Sequence, residues 1–336
     1  MKAYLIDGVG KSRVGVIAVP EPDAGELLIR VMVTGLCGTD AHIFKGEYFG
    51  EYPIVPGHEF SGIVEKTGPG VKHFHKGDRV SADPNIFCDN CPECKANNHN
   101  FCTDFNAAGV TLNGAMAAYM LIPEKCAFPI GDISFTHAAL IEPLACVVHG
   151  QNLLAPKLAN RTLIIGAGPI GLMHLQVSKM NGAAFVAVSD VKTGRLDVAK
   201  SLGADEVIPA PEVSDYVRRH GGFDIVIDST GVPSVVQSAL AYVKSAGTLL
   251  VFGVCPNDSA ITVNPYEIFK RELTIMGSFA LRKTFGQAIR LVEGGRIALD
   301  PLIGRRAALD EMPGLMADFA AGRTHMKTVV YPNGLE

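Results

Sequence analysis

Cys88, Cys91, Cys94 and Cys102 lie within fifteen residues, spaced C-x2-C-x2-C-x7-C, and make up half of the chain's eight cysteines. That spacing lets four thiolates converge on one tetrahedral ion, and an all-sulfur shell favours zinc. With four protein ligands the shell is closed to substrate, so its expected role is structural. Pro84, Asn85, Asp89, Asn90 and Pro92 make the segment a turn-rich loop with little core of its own, which a metal would hold together. The bland alternatives are four free thiols or two disulfides, and disulfides need an oxidising compartment. The start, Met1 to Asp7, meets an acid too early for the apolar segment of a secretory signal.

A second set of metal-ligating types has a different character. Cys37 lies in Gly35-Leu-Cys-Gly-Thr-Asp-Ala-His42, and His58-Glu59 in Pro56-Gly-His-Glu-Phe-Ser-Gly62. Each sits in a glycine-flanked loop. Glu142, in Leu140-Ile-Glu-Pro-Leu-Ala145, is an acid inside an apolar stretch, where an unpaired carboxylate is costly and calls for a metal or a strong donor.

Gly166-Ala-Gly168-Pro169-Ile170-Gly171 follows a short apolar run and opens a helical pattern. In that context the first glycine permits a tight turn, the second lets a pyrophosphate reach backbone, and the third allows close helix packing. Asp190, nineteen residues after Gly171, stands where a carboxylate accepts both adenosine-ribose hydroxyls and repels a 2′-phosphate. NAD is therefore expected over NADP, with Lys192 and Arg195 as basic neighbours.

Two textures must position these groups. From Met1 to about Gly131, short alternating runs such as Leu27 to Thr34, Ser61 to Lys66, Arg79 to Ala82 and Tyr119 to Ile122 predict a β-rich domain. From about Gln151, strands at Thr162 to Ile165, Phe185 to Ser189, Glu206 to Ile208, Phe223 to Asp228 and Leu249 to Gly253 alternate with helices. That alternation predicts an α/β, doubly wound parallel sheet. After about Arg282 the mixed texture returns, ending in a strand at Lys327 to Tyr331. The expected division is residues 1–143 with 282–336, carrying a zinc lobe at 84–104, and residues 144–281 as the dinucleotide domain.

Composition narrows the function further. Hydrophobic residues are 48% and charged residues 19% of 336, ordinary values for a globular chain. Thirty basic residues against thirty-four acidic give a net charge of −4. Phosphate tracking usually needs a basic excess, and only Lys95 is basic between Cys88 and Cys102. No nucleic-acid partner is expected from the cysteine loop. No apolar run reaches the ~20 residues of a membrane span, so the expected location is cytoplasmic. Cys126, Cys146 and Cys255 are read as buried apolar groups, His149 and His174 as core or helix-face residues, and Tyr48 and Phe49 as packing or cleft-lining groups.

Taken together, C-G-T-D-x-H at Cys37 to His42, G-H-E at Gly57 to Glu59, K-G-D-R-V at Lys76 to Val80, the cysteine lobe, E-P-L at Glu142 to Leu144 and the glycine fingerprint resemble the medium-chain, zinc-dependent alcohol dehydrogenases. The similarity runs nearly end to end and is greatest to the polyol (sorbitol-type) dehydrogenases. It implies a GroES-like catalytic domain beside a Rossmann domain. It also implies two zincs per chain, the catalytic one on Cys37 and His58 with Glu59 or Glu142 as third ligand. Simple alcohol dehydrogenases usually carry cysteine where Glu142 stands, which turns the expectation toward polyols or threonine. By the same resemblance Thr39 takes the substrate proton and His42 delivers it to solvent, while Asp40 orients a neighbouring group. The apolar Leu273 to Phe279 strand would pair across subunits in a homodimer or homotetramer.

Overall fold

The computed structural model describes residues 1–48, 51–154, 158–323 and 326–334; Phe49 falls outside them. The chain divides into two compact units, Met1–Ala145 with Arg282–Glu336, and Cys146–Leu281.

The first unit is built on a seven-stranded sheet. Its order runs Ile303–Ala308, Lys327–Tyr331, Glu26–Gly35, Glu59–Thr67, Arg79–Ala82, Ala127–Pro129, with Tyr119–Pro123 also pairing with Glu26–Gly35. Alternation in Glu26–Gly35 buries Leu27, Ile29, Val31 and Val33. Leu27, Ile29 and Val31 pack with Phe60, Val64, Val80 and Met120 into one apolar cluster. Fully burying each such side chain is worth about 1.5–3 kcal/mol. A second cluster gathers Tyr4, Ile6, Ile43, Met116, Met312 and Met316, so the N-terminal strand and the C-terminal helix Met312–Ala320 share one core.

Register does the positioning. Gly35 faces Glu59 across one antiparallel pair and Val329 across the other. Three strands distant in sequence thus meet at the end of Glu26–Gly35, just before the Cys37 loop.

The second unit is a six-stranded parallel sheet. Its order is Glu206–Pro209, Phe185–Asp190, Arg161–Ile165, Phe223–Asp228, Val243–Val251, Thr274–Gly277. Numbered in chain order this is 3-2-1-4-5-6, with the switch point between Arg161–Ile165 and Phe223–Asp228, where such sheets bind dinucleotides. The glycine turn leaves the first strand at that point and enters the helix Pro169–Met180.

Two expectations about this unit need correction. The fifth strand runs Val243–Val251 rather than Leu249–Gly253, because Lys244, Ser245 and Ala246 are exposed and hide its beginning. Cys146 and Cys255 are half-buried rather than core, whereas Cys126 is fully buried. His149 and His174 are buried as expected. Among the described residues no helix is long and apolar enough to cross a membrane.

Candidate active site and metal centres

Cys37 caps the helix Gly38–Lys45, and the turn is closed by Asp40, whose Oδ2 accepts from the Cys37 amide at 2.9 Å. The other oxygen, Oδ1, accepts from the Gly57 amide at 3.2 Å and lies 3.7 Å from His58 Nδ1. One fully buried carboxylate therefore ties the cysteine loop to the histidine loop. Gly57 has φ +98°, and a Cβ there would crowd the Met116 backbone, so the close approach needs glycine. Burial pushes the Asp40 carboxyl up, against His58 and the two amides that favour its charge.

The Cys37 sulfur, a His58 ring nitrogen and a Glu59 carboxylate oxygen lie within 4.8 Å of one another. Glu59 is 1% exposed. Its Oε1 accepts from Lys327 Nζ at 2.7 Å, while Oε2 has no hydrogen-bond partner. Gly35 makes room for it, since a Cβ at Gly35 would collide with Glu59 Oε2. Lys327 also donates to the Leu36 carbonyl at 3.2 Å. Burial alone would lower the Lys327 pKa; Glu59 and Cys37 outweigh it and hold the ammonium charged. Burial would likewise lower His58, but the Cys37 sulfur and the Asp40 and Glu142 carboxylates raise it well above the ordinary value.

These residues fit a divalent cation. Cys37, Asp40, Glu59 and Glu142 can each carry negative charge in a dry region, and Lys327 is the ammonium placed among them. An orphaned, buried carboxylate oxygen beside a thiol and an imidazole is costly without a positive partner. A Cys–His–Glu set leaves a fourth tetrahedral position, as catalytic zinc requires. Glu142 opens the helix Ile141–Leu154, 7% exposed, and stands outside the close ligand group.

Around this group, Thr39 Oγ1 is 3.8 Å from the Cys37 sulfur. His42 Nδ1 is 2.7 Å from Glu47 Oε2, an approach made by Gly46 turning left-handed at the helix end. Tyr48 is half-buried against the core.

The four lobe cysteines also come together, with ligand sulfurs within 4.8 Å of one another. Cys102 lies 3.6 Å from Cys88 and 3.9 Å from Cys91, too far for disulfides. Five backbone amides, of Cys88, Asn90, Cys91, Cys94 and Asp104, donate to these sulfurs at 3.2–3.4 Å. Such donors favour thiolate. The Cys94 and Thr103 amides hold Cys91 down to about 6, and the Asn90 and Cys91 amides lower Cys88. Burial pushes Cys94 up to about 12, a cost that a bound dication removes.

In the second unit, Gly166 has φ +102° and a Cβ on Gly171 would run into the Gly166 carbonyl oxygen. Gly168 precedes Pro169 and Ile170 at the helix start and caps it without a side chain, leaving its first amides for an anion. A Cβ on Gly168 would meet only Arg195 Nη1, at 3.9 Å. Asp190 differs from expectation in one respect. Its oxygens already accept from the Ala167 amide at 2.8 Å and the Lys192 amide at 2.7 Å, with Arg195 Nη1 3.7 Å away. The carboxylate fixes the glycine turn.

Sequence reasoning missed Lys327 and Gly35. The only cue to Lys327 was a lysine opening an otherwise apolar final strand.

Comparison with known proteins identifies the family. Residues 23–132 match the family described as alcohol dehydrogenase GroES-like domain, and residues 169–294 match zinc-binding dehydrogenase. D-arabinitol dehydrogenase 1 of Uromyces fabae is 37% identical, over 94% of this chain and 92% of that protein. A zinc-binding dehydrogenase-type structure from Sinorhizobium meliloti, bound to NADP, superposes with TM-score 0.93 at 36% identity, over 98% of this chain and 99% of that one. An Escherichia coli structure described as short chain alcohol dehydrogenase, complexed with NADH, gives TM-score 0.92 at 29% identity, over 98% and 99%. The chain belongs to the medium-chain, zinc-dependent alcohol dehydrogenases, on their polyol dehydrogenase side. It is an enzyme of that family, with the GroES-like and Rossmann-type domains the family combines.

Proposed function

We propose that the chain oxidises a secondary hydroxyl of a polyol to the ketone, reversibly, with NAD as hydride acceptor. The observation that carries this reading is Glu59 Oε2, buried without a partner beside Cys37 and His58. Cys37, His58 and Glu59 would hold the catalytic zinc, with Glu142 beside them, and Cys88, Cys91, Cys94 and Cys102 a structural one. When bound, the catalytic zinc supplies the Lewis acidity that brings an alcohol's ionisation toward neutral pH. Lys327 fixes Glu59 and offsets its charge, and Asp40, 3.7 Å from His58 Nδ1, holds negative charge beside the ring. Thr39 Oγ1 accepts the hydroxyl proton as it gives up its own, and His42, braced by Glu47, passes the released proton to solvent.

The unit holding these residues is the catalytic domain, and Cys146–Leu281 the dinucleotide domain. Gly166, Gly168, Pro169, Ile170 and Gly171 would cradle the pyrophosphate. Asp190 favours NAD over NADP by its charge, with Arg195 beside it. The exposed Ile275 of the edge strand and the neighbouring Tyr266 and Phe269 support a homo-oligomer. Thiolate ligands support a reducing, cytoplasmic setting.

The substrate reading rests on Glu142. A polyol can place one hydroxyl at the metal and donate the next to a carboxylate, a hydrogen bond worth about 1.5–3 kcal/mol that a simple alcohol cannot make. The test is NAD and NADP reduction over polyols, sugar phosphates, L-threonine and simple alcohols. Vicinal diols are expected to exceed ethanol by at least about tenfold in kcat/KM, with NAD preferred. Ethanol matching the best polyol would sink the substrate assignment, and L-threonine leading the panel would replace it.

A further inference from the structure

A concave groove of about 430 Å³ lies in the first unit, between the cysteine loop and the outer face of the helix Phe285–Glu293. None of its lining residues belongs to either group of metal-ligand candidates. Its volume is within the usual range for small-molecule sites, roughly 300–1,000 Å³.

The charge around this groove is unusual for the chain. The protein as a whole carries −4, yet Lys125, Lys283 and Arg290 all line this concavity. Lys125 is committed, donating to the Phe87 carbonyl and to Asp89 Oδ2 at 3.0 Å. Lys283 and Arg290 are not: among the described residues neither has a carboxylate within 4.0 Å. The Lys283 ammonium stands 5.9 Å from the Phe87 ring centroid, on the lobe side. Lys283 holds φ +52°, a left-handed backbone that is unfavourable for a non-glycine residue and recurs at functional sites. Deeper in the groove is Asp83, 5% exposed, whose Oδ1 accepts from the Asn85 amide and side chain. Burial pushes its carboxyl up to about 7, so near neutrality it can donate to or accept from a hydroxyl.

We propose that this groove binds a sugar or polyol phosphate as a second, non-catalytic ligand, its phosphate on Lys283 and Arg290 and its hydroxyls toward Asp83. Two free cations at the mouth match one phosphate monoester, and a buried carboxyl behind them suits a hydroxylated tail. The groove is too small, and the protein too acidic, for a nucleic-acid backbone. Ligand bound here would bridge the helix to the lobe, both within the first unit.

The test is isothermal titration of the zinc-loaded full chain, with saturating NADH so that the dinucleotide site does not compete. The probes are glucose 6-phosphate, inorganic phosphate and sorbitol. Glucose 6-phosphate is expected to bind, inorganic phosphate at least about tenfold more weakly, and sorbitol not at all at this site. Lys283→Glu and Arg290→Glu should each weaken the sugar phosphate at least about tenfold, with zinc content and polyol turnover unchanged. If a charge reversal disturbs the fold, Lys283→Gln and Arg290→Gln serve instead. No binding of glucose 6-phosphate, or binding undiminished in both variants, overturns the proposal. Inorganic phosphate binding as tightly as the ester would make this a free-phosphate site and overturn the hydroxyl contribution of Asp83.

Discussion

The cysteine lobe and the Cys37–His58–Glu59 group are both compact clusters of potential metal ligands, but they are assembled by opposite means. The lobe draws four identical ligands from fifteen consecutive residues. Its supports are equally local, since every amide that donates to its sulfurs lies in the same loop. The second group takes three different ligands from two separate segments and is held from far along the chain. Lys327 reaches Glu59 across 268 positions, Asp40 joins the two loops, and Gly35 leaves the space that Glu59 fills. A closed shell of one donor type suits a fixed role. A mixed set with an orphaned oxygen, braced on all sides, suits chemistry that needs an open position. Local assembly gives stability to a segment without a core; tertiary assembly gives a reacting geometry.

This contrast is most sharply broken by exchanging the consequences of two cysteine substitutions. Cys37→Ala should lower kcat by at least about a thousandfold, as loss of a catalytic metal would, with only a modest fall in the thermal midpoint from the lost metal. Cys91→Ala should do the reverse, lowering the midpoint sharply through loss of the lobe's metal. Paired assays of turnover and thermal unfolding check this. Equal losses of stability in both variants would erase the distinction.

The next largest effect concerns the long-range brace. Lys327→Gln leaves a buried carboxylate without its ammonium, and breaking a buried pair costs about 3–5 kcal/mol. Denaturant unfolding of the zinc-loaded protein should show that loss, with turnover reduced as well. A variant of unchanged stability would mean that the pair at 2.7 Å is incidental. Gly35→Ala probes the same brace sterically. Displacing Glu59 by about an ångström should reduce kcat/KM about a hundredfold and leave the lobe's zinc in place. Steady-state kinetics with zinc analysis would reveal it.

The smallest expected change lies in the other unit. Asp190→Asn keeps the side chain's shape but removes its charge and one acceptor, which should weaken NADH by about tenfold and narrow the preference over NADPH. Fluorescence titration of both cofactors measures this directly. An unaltered preference would assign Asp190 to the glycine turn alone, where it holds the Ala167 and Lys192 amides.

What could be read from the sequence follows the same contrast. The lobe was legible because ligand type and spacing are both local. The parallel sheet and its glycine turn were legible too, as each strand runs between clear breakers, although exposed Lys244 to Ala246 concealed the start of one strand. Cys37, His58 and Glu59 could be named from their loops, but the choice between Glu59 and Glu142 could not. Strand register, which sets Glu59 against Gly35 and beside Lys327, is tertiary information that bears on that choice and that no local motif carries. Lys327 itself resembled an ordinary strand-opening lysine, and only pairing with a distant strand makes it part of the site. Asp190 could be named as a ribose partner from its spacing, but its bonds to the Ala167 and Lys192 amides depend on turn geometry rather than on residue type.

The central claim is that one chain carries two metal centres of different construction, and zinc-edge spectroscopy with zinc analysis on Cys37→Ala tests it most directly. The account predicts that the variant loses one of two zincs and keeps the other in an all-sulfur shell. Retention of both zincs, or a single remaining zinc in a shell of mixed sulfur, nitrogen and oxygen, would contradict it.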